Sequence, residues 1–261
     1  MIGLGPRHDL ISSTSIIRAG LVEETYAALR DWDFQTSKPD NIKRLSQAPT
    51  VAAVSESWRK DILQAISRRL DPGGRDKSLT ILAQCGFSLE SWKPLLLWHI
   101  TRDEYLLRSF LIDWFFEARD SGKSSLTADD VEAFLRSKDI AKRTKSPWQP
   151  VTVRRLSNAL LQNALDFGLV TGTARKEFIS YHLPEESFLY LLHAMAEAEP
   201  NARRIVDSKD WRMYQMETSD VERELLRLHQ YRKVHYQVAG SLAQLKLPND
   251  SSASYAQELC A

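Results

Sequence analysis

The sequence predicts a mainly α-helical protein with one small β element. Three parts are expected: a helical N-terminal domain over residues 1–120, a winged helix-turn-helix-like segment over 121–186, and a helical C-terminal segment over 187–261 with a loose tail. Two observations carry this. Apolar residues recur at three- and four-residue steps along most of the chain, which is the signature of amphipathic helices. Between Leu126 and Leu183 two such helices give way to a strand–turn–strand pattern, the order of a helix-turn-helix with a wing. No repeat of 20 to 50 residues is visible, so a solenoid is excluded.

Met1 to Ser15 has little periodicity, and its first half reads as an arm. Ile16 to Trp32 reads as an amphipathic helix, with Ile17, Leu21, Tyr26, Leu29 and Trp32 near one face and Glu23, Glu24 and Arg30 near the other. Asp33 to Asn41 is expected to be a loop. Ile42 to Leu45 is a short turn or helix broken by Pro49. From Thr50 to Leu70 the apolar residues Val54, Trp58, Ile62, Ile66 and Leu70 return every fourth position, so a helix is predicted. Asp71-Pro72-Gly73-Gly74 is the clearest turn. Its glycines are not a phosphate loop, because no Gly-Lys-Ser/Thr follows at the required spacing. Ser78–Gln84 and Leu89–Ile100 are short apolar helices. Arg102–Arg119 is apolar around most of its circumference, which places it at the buried centre of the N-terminal domain. Asp120 to Ser125 is the domain boundary.

Leu126–Leu135 is a short helix with Thr127 as its N-cap and acids in its first turn. A basic loop runs from Lys138 to Pro150. The helix Val151–Phe167 has Pro150 at its start and Gly168 past its end, with Val153, Leu156, Leu160, Ala164 and Phe167 on one face. Leu169–Thr171, Gly172–Lys176 and Phe178–Leu183 then read as strand, turn and strand. Pro184, Glu185 and Glu186 open a helix over Ser187–Glu197, which Pro200 ends. Asn201–Trp211 is short and partly helical. Ser219 with Glu222 forms a capping box for a helix reaching about Lys233. Val234–Leu247 fits either a helix or a strand pair around Gly240. From Asn249 the tail is polar and expected to be loose.

The charge is distributed unevenly. The whole chain carries +1, yet Lys138 to Lys176 holds eight bases against two acids, a local +6, while Glu185 to Arg227 holds ten acids against six bases, a local −4. The bases fall in the loop before the second helix, in its first turns and at the wing tip, where a winged helix meets a duplex. Lys142, Arg143, Lys145, Arg154, Arg155, Arg175 and Lys176 are therefore candidate phosphate contacts. Thr152, Ser157, Asn158, Gln162 and Asn163 are polar residues that could reach base edges. A protein-docking module, or a plainly solvated charged surface, would carry the same pattern. A second candidate DNA surface comprises Lys43, Arg44, Arg59, Lys60 and Arg68, with Arg69 beside them; a solvated helix face explains it equally.

Little in the sequence points to catalysis. The two cysteines, Cys85 and Cys260, lie far apart and suggest a reducing compartment. No stretch free of Asp, Glu, Lys and Arg exceeds the twelve residues of Ser78 to Leu89, against the roughly 20 needed to span a bilayer. With no basic head and apolar block at the N-terminus, the chain reads as a soluble cytoplasmic protein. The six histidines lack metal-site spacing. His99 could share a helix face with Asp103 but reads as a satisfied core or interface residue. No nucleophile elbow or dinucleotide fingerprint occurs, so neither catalytic residue, cofactor nor metal is expected.

The arrangement resembles the BrxA proteins of bacterial BREX phage-defence systems over roughly Ile11 to Leu247. The resemblance rests on scattered pieces: Ile17-Arg18-Ala19-Gly20-Leu21-Val22-Glu23-Glu24, Asn41, Ile66-Ser67-Arg68-Arg69-Leu70, Trp98-His99 with Arg102-Asp103, Trp148, Leu165-Asp166-Phe167-Gly168-Leu169, Ser208-x-x-Trp211 and Tyr236-x-x-Ala239-Gly240. It implies a small, mostly helical, non-enzymatic DNA-binding component of the defence locus. The implied partners are double-stranded DNA and other BREX defence proteins. Some family members have been labelled inner-membrane proteins, a label this sequence does not support, so no membrane is expected; monomer or weak dimer is left open. An adaptor that assembles larger defence enzymes and a structured-RNA binder are the rival readings.

Overall fold

The computed structural model describes residues 4–7, 11, 16–48, 55–144, 146–240 and 242–261. The N-terminal helices are α1 (Val22–Arg30), α2 (Lys38–Gln47), α3 (Glu56–Arg69), α4 (Lys77–Gln84) and α5 (Leu89–Thr101). Serines start three of them: Ser37, Ser55 and Ser88 accept the backbone N–H of Asp40, Trp58 and Ser91. The expected helix Ile16–Trp32 is cut to α1. Ala19 and Leu21 adopt positive φ angles of 60° and 50°, which break the helix. The cause is a long-range contact: the Gly20 N–H donates to Asp166 Oδ2 at 2.9 Å, and a Cβ on Gly20 would lie 2.9 Å from Asp166 Cβ. The expected loop Asp33–Asn41 already becomes helix at Lys38. Asn41 is buried, accepts the Asp33 N–H at 2.9 Å and donates to the Asp33 carbonyl at 2.8 Å, so it staples that turn. The predicted start of α3 at Thr50, with Val54, lies outside the described residues.

The apolar stretch 105–120 is helical throughout but not uniform. α6 (Tyr105–Ser109) passes into a π-helical segment, Phe110–Phe115, and then into α7 (Phe116–Asp120). Phe110 stacks on Trp114 at 5.4 Å, and Phe115 reaches Phe178 at 4.9 Å, so this helix joins the N-terminal layer to the middle of the chain. There follow β1 (Ser125–Leu126), α8 (Ala128–Leu135), α9 (Lys138–Ala141), α10 (Pro150–Asp166), β2 (Val170–Thr171) and β3 (Lys176–Phe178). The strand expected over Phe178–Leu183 is thus shifted to begin at Lys176, and residues 179–184 are irregular.

The C-terminal elements are α11 (Glu185–Ala198), α12 (Ala202–Val206), a 3-10 turn over Lys209–Tyr214, α13 (Thr218–Gln230), the hairpin β4 (His235–Ala239) with β5 (Leu242–Lys246), and α14 (Ser252–Leu259). The capping box of α13 uses Glu217 and Asp220, two residues before the expected pair. The strand pair around Gly240 is the alternative that forms. These elements pack back onto the N-terminal helices: α11 on α5, the 3-10 turn on the π-helical segment, and α14 on α4 and α11. Among the described residues no helix is long and apolar enough to cross a membrane.

The tail is the plainest departure from the sequence reading. Its serines and small residues favour a loop, but Ser251 caps α14, Tyr255 and Ala256 are buried, and the Ser252 N–H donates to Glu197 at 2.6 Å. Tertiary contacts make this helix. Cys260 is bonded to Cys85 across a separation of 175 residues, a disulfide that runs against the reducing compartment the sequence suggests. Reduction, or Cys260→Ala, is expected to cost about 2–4 kcal/mol and to raise hydrogen exchange in residues 252–259 first. Unchanged exchange there would show that α14 docks without the bond.

The same helix meets His193, whose ring stacks on Tyr255 at 4.6 Å. His193 Nδ1–H donates to the Leu189 carbonyl at 2.7 Å, while Nε2 is buried with no partner. Burial holds the imidazole below its ordinary value of 6.5. The unfolded chain therefore takes up the proton first as pH falls. Stability is complete above about pH 6.5 and declines below it. The slope of unfolding free energy against pH between 7 and 5 checks this, and His193→Gln should flatten it.

Candidate nucleic-acid interface

In the middle segment the three strands form one antiparallel sheet in the order β1-β3-β2, with Leu126 opposite Lys176 and Thr171 opposite Glu177. Thr127 caps α8 in a reciprocal box with Asp130, whose carboxylate accepts the Thr127 N–H at 2.8 Å. Burial pushes the Asp130 carboxyl up, but Lys123 and Thr127 outweigh it and hold the group below its ordinary range. α10 packs on α8, and Val153, Leu156, Leu160 and Ala164 of α10 are all buried. The basic loop is not wholly loop: α9 forms within it because Ile140 is buried under the segment.

This scaffold sorts the expected contact residues. On the outward face of α10, Arg155 and Asn158 are exposed and Thr152 is half-buried. Ser157 and Asn163 point inward instead; they are buried and donate to the carbonyls of Val153 and Ala159, four residues back. Gln162 is exposed, but its amide donates to Asp166 at 2.7 Å. Arg154 is engaged by acids on α8: its guanidinium donates to Asp129 and, at 3.2 Å, to Glu132, which raises its pKa. Its positive charge is thus offset locally. The sequence could not show this, because α8 and α10 meet only in the fold.

In the loop, Lys142 is exposed, whereas the Arg143 guanidinium lies 4.2 Å from the Tyr105 ring centre. Lys145 lies outside the described residues. At the turn between β2 and β3, Arg175 is exposed. Lys176 is the opposite: it is buried, and its Nζ donates to the Gly172 carbonyl at 2.8 Å, closing the turn. Gly172 has φ 96°, and a side chain there would collide with the Arg175 carbonyl. The expected wing-tip pair is therefore one exposed residue and one structural residue. Of the expected phosphate contacts in this segment that lie among the described residues, Lys142, Arg155 and Arg175 stand exposed without an ion-pair partner.

The second expected basic surface also divides. Lys43, Lys60 and Arg68 line one groove of about 590 Å³ between α2 and α3, floored by Ile42 and Leu63. Lys60 pairs with Glu56 at 2.8 Å within its own helix. Arg44 is turned onto the Asp31 carbonyl and Asn41, and Arg59 onto the Ser46 carbonyl at 3.3 Å, so both serve local structure. Arg69 is buried.

A cleft and the partners of His99 escaped the sequence. A cleft of about 780 Å³ opens between the π-helical segment and α8–α9, lined by Tyr105, Asp113, Trp114, Phe134 and Arg143 among others. The π-helical segment Phe110–Phe115 contributes Asp113 and Trp114 to its wall, and nothing in the apolar periodicity signals the change of pitch there. His99 is buried in a polar chain: Nδ1 lies 2.6 Å from Asp76, Nε2 lies 2.9 Å from the Tyr190 hydroxyl, and that hydroxyl lies 2.6 Å from Ser78. It is a satisfied core histidine, and its partner is Asp76, not Asp103. Asp103 instead pairs with Arg7 at 3.1 Å and with Arg75.

Comparison with known families matches the BrxA family over residues 13–194, from the segment before α1 to within α11. No curated protein matches the chain.

Proposed function

The chain belongs to the BrxA family and is a BREX-associated defence protein, and we propose that it acts there as a non-enzymatic binder of double-stranded DNA. In this reading residues 121–186 work as a winged helix. The β1-β3-β2 sheet, the helices α8 and α10 and the β2–β3 turn, in that chain order, support this reading. The observation that carries it is the placement of Lys142, Arg155 and Arg175, one each on the loop, the outward helix face and the wing turn. Phosphates attract bases that are exposed and unpaired, and these three meet that condition. α10 would lie in the major groove and Arg175 beside the neighbouring one.

Fluorescence anisotropy of a random 30-base-pair duplex against salt concentration tests this. Three phosphate contacts predict a slope of log affinity on log salt of about −2.7 or steeper. A duplex RNA of the same sequence should compete poorly, since its deep, narrow major groove excludes a helix. Equal competition would favour the structured-RNA reading.

An assembly adaptor is the second reading, and one observation favours it. Leu226 and Tyr231 on and after α13 are 44% and 66% exposed, beside a groove that also holds Glu185, Asp220 and Glu224. A shallow salt slope with DNA, together with tight binding to a partner defence protein, would support the adaptor over the DNA reader.

A further inference from the structure

We infer that α10 recognises A·T pairs in the major groove through the thymine C5-methyl group, with Val151 making the methyl contact and Asn158 serving adenine. The inference rests on the DNA-binding reading and goes beyond it to sequence preference.

Val151 is the apolar residue on the outward face of α10. It is 60% exposed at the second position of α10, while Val153, Leu156, Ala159, Leu160, Leu161 and Ala164 of the same helix are all buried. A β-branched residue on an exposed helix turn gains no burial there, and its stiff side chain gives only modest helix propensity. Folding therefore offers no reason for valine at this position. At about 100° per residue, Val151, Arg155, Asn158 and Gln162 fall within about 60° of one another, opposite the buried stripe. All four are exposed.

The neighbours narrow the reading set. Gln162 is held by Asp166, and Arg154 by Asp129 and Glu132. Val151, Arg155 and Asn158 remain. The first turns of a reader helix are the part that meets base edges. The floor of the major groove presents hydrogen-bond donors and acceptors at every pair, and thymine alone of the four bases adds an apolar methyl. Valine can gain only from that methyl. The Asn158 amide matches the adjacent acceptor and donor of adenine N7 and N6. Seven residues separate the two side chains, about 10 Å along the helix axis, or roughly three base pairs. Arg155 lies between them, placed for a phosphate or for guanine.

The test starts from duplexes selected by the wild type out of a randomised 20-base-pair segment. The recovered sequence is then made with thymine and with deoxyuridine, which differs only in lacking the methyl. Wild type should bind the deoxyuridine duplex about fourfold more weakly, the worth of one buried methyl. Val151→Ala should bind the two forms equally while melting within a degree or two of wild type. Asn158→Ala should keep the thymine ratio and relax selection at an adenine about three base pairs from that thymine. Equal binding of both duplexes by wild type overturns the inference, as does a thymine ratio that survives in Val151→Ala. Steep salt dependence with no selected sequence overturns it too, while leaving the DNA reading intact. If wild type binds no duplex at all, the DNA reading fails and this inference fails with it.

Discussion

Arg108→Ala is expected to destabilise the fold by about 3–5 kcal/mol, measured by urea unfolding. Arg108 is 7% exposed and donates to Asp210, which is fully buried. The other oxygen of Asp210 accepts the Trp98 indole N–H at 2.7 Å. Removing the guanidinium leaves the buried Asp210 carboxylate with the Trp98 donor and the more distant charge of Arg102, and the cost is mostly that of the under-compensated charge. Against a total of about 5–15 kcal/mol this is a large fraction, and at 2–4 °C per kcal/mol the melting temperature should fall by roughly 10 °C. The double variant Arg108→Met/Asp210→Leu should recover most of the loss, because it removes both charges together. A single-variant cost below about 1 kcal/mol would mean that Asp210 is neutral or wet in the folded protein. The pair joins α6 to the 3-10 turn across a separation of 102 residues, so it also reports on the docking of the C-terminal elements.

Trp211→Ala should cost about 3–5 kcal/mol as well, for a different reason. Trp211 is 1% exposed, its ring stacks on Phe188 at 4.9 Å, and its indole N–H donates to the Ile205 carbonyl at 2.8 Å. Alanine leaves a cavity under α11 and strands a buried carbonyl. Trp211→Phe keeps the stacking and loses the hydrogen bond, so about 1–3 kcal/mol is expected. Thermal melts of the two variants separate these terms. Equal losses would show that the hydrogen bond, not the ring, holds the turn in place. Neither variant touches the exposed face of α10, so each should bind DNA like wild type at temperatures where it is folded.

The contrast between what the residues announce and what the fold adds follows from the range of the interactions. α8, α10 and the turn at Gly172 were legible because caps, helical spacing and positive-φ glycine are local. The strand pair around Gly240 was ambiguous because its alternation is weak and two-stranded hairpins draw their stability from neighbours. The break at Ala19–Leu21 was hidden, since the apolar spacing of Ile16–Trp32 is sound and the cause lies 146 residues away at Asp166. α14 and the Cys85–Cys260 bond were hidden in the same way.

At the interface the same rule divides the candidates. The concentration of positive charge was visible, and Lys142, Arg155 and Arg175 emerge exposed. Arg154 and Lys176 looked equivalent to them in sequence. Only the packing of α8 on α10 and the closure of the β2–β3 turn tie those two down. Ser157 and Asn163 were misread because polarity alone does not set which side of a helix a short side chain faces. Each found a carbonyl on its own helix and so tolerates burial. Two pieces on which the family resemblance rests, Gly20 and Leu165–Leu169, touch in the fold, which gives them a shared structural role independent of any ligand.

The most direct measurement is the salt dependence of duplex binding for three proteins: wild type, Lys142→Ala/Arg155→Ala/Arg175→Ala, and Arg154→Ala. The account predicts that the triple variant loses about 2.7 units of slope, while Arg154→Ala keeps the wild-type slope because its charge is already offset by Asp129 and Glu132. A triple variant with the wild-type slope would place the DNA contact elsewhere, with the Lys43, Lys60 and Arg68 groove the next surface to change, and would contradict the account.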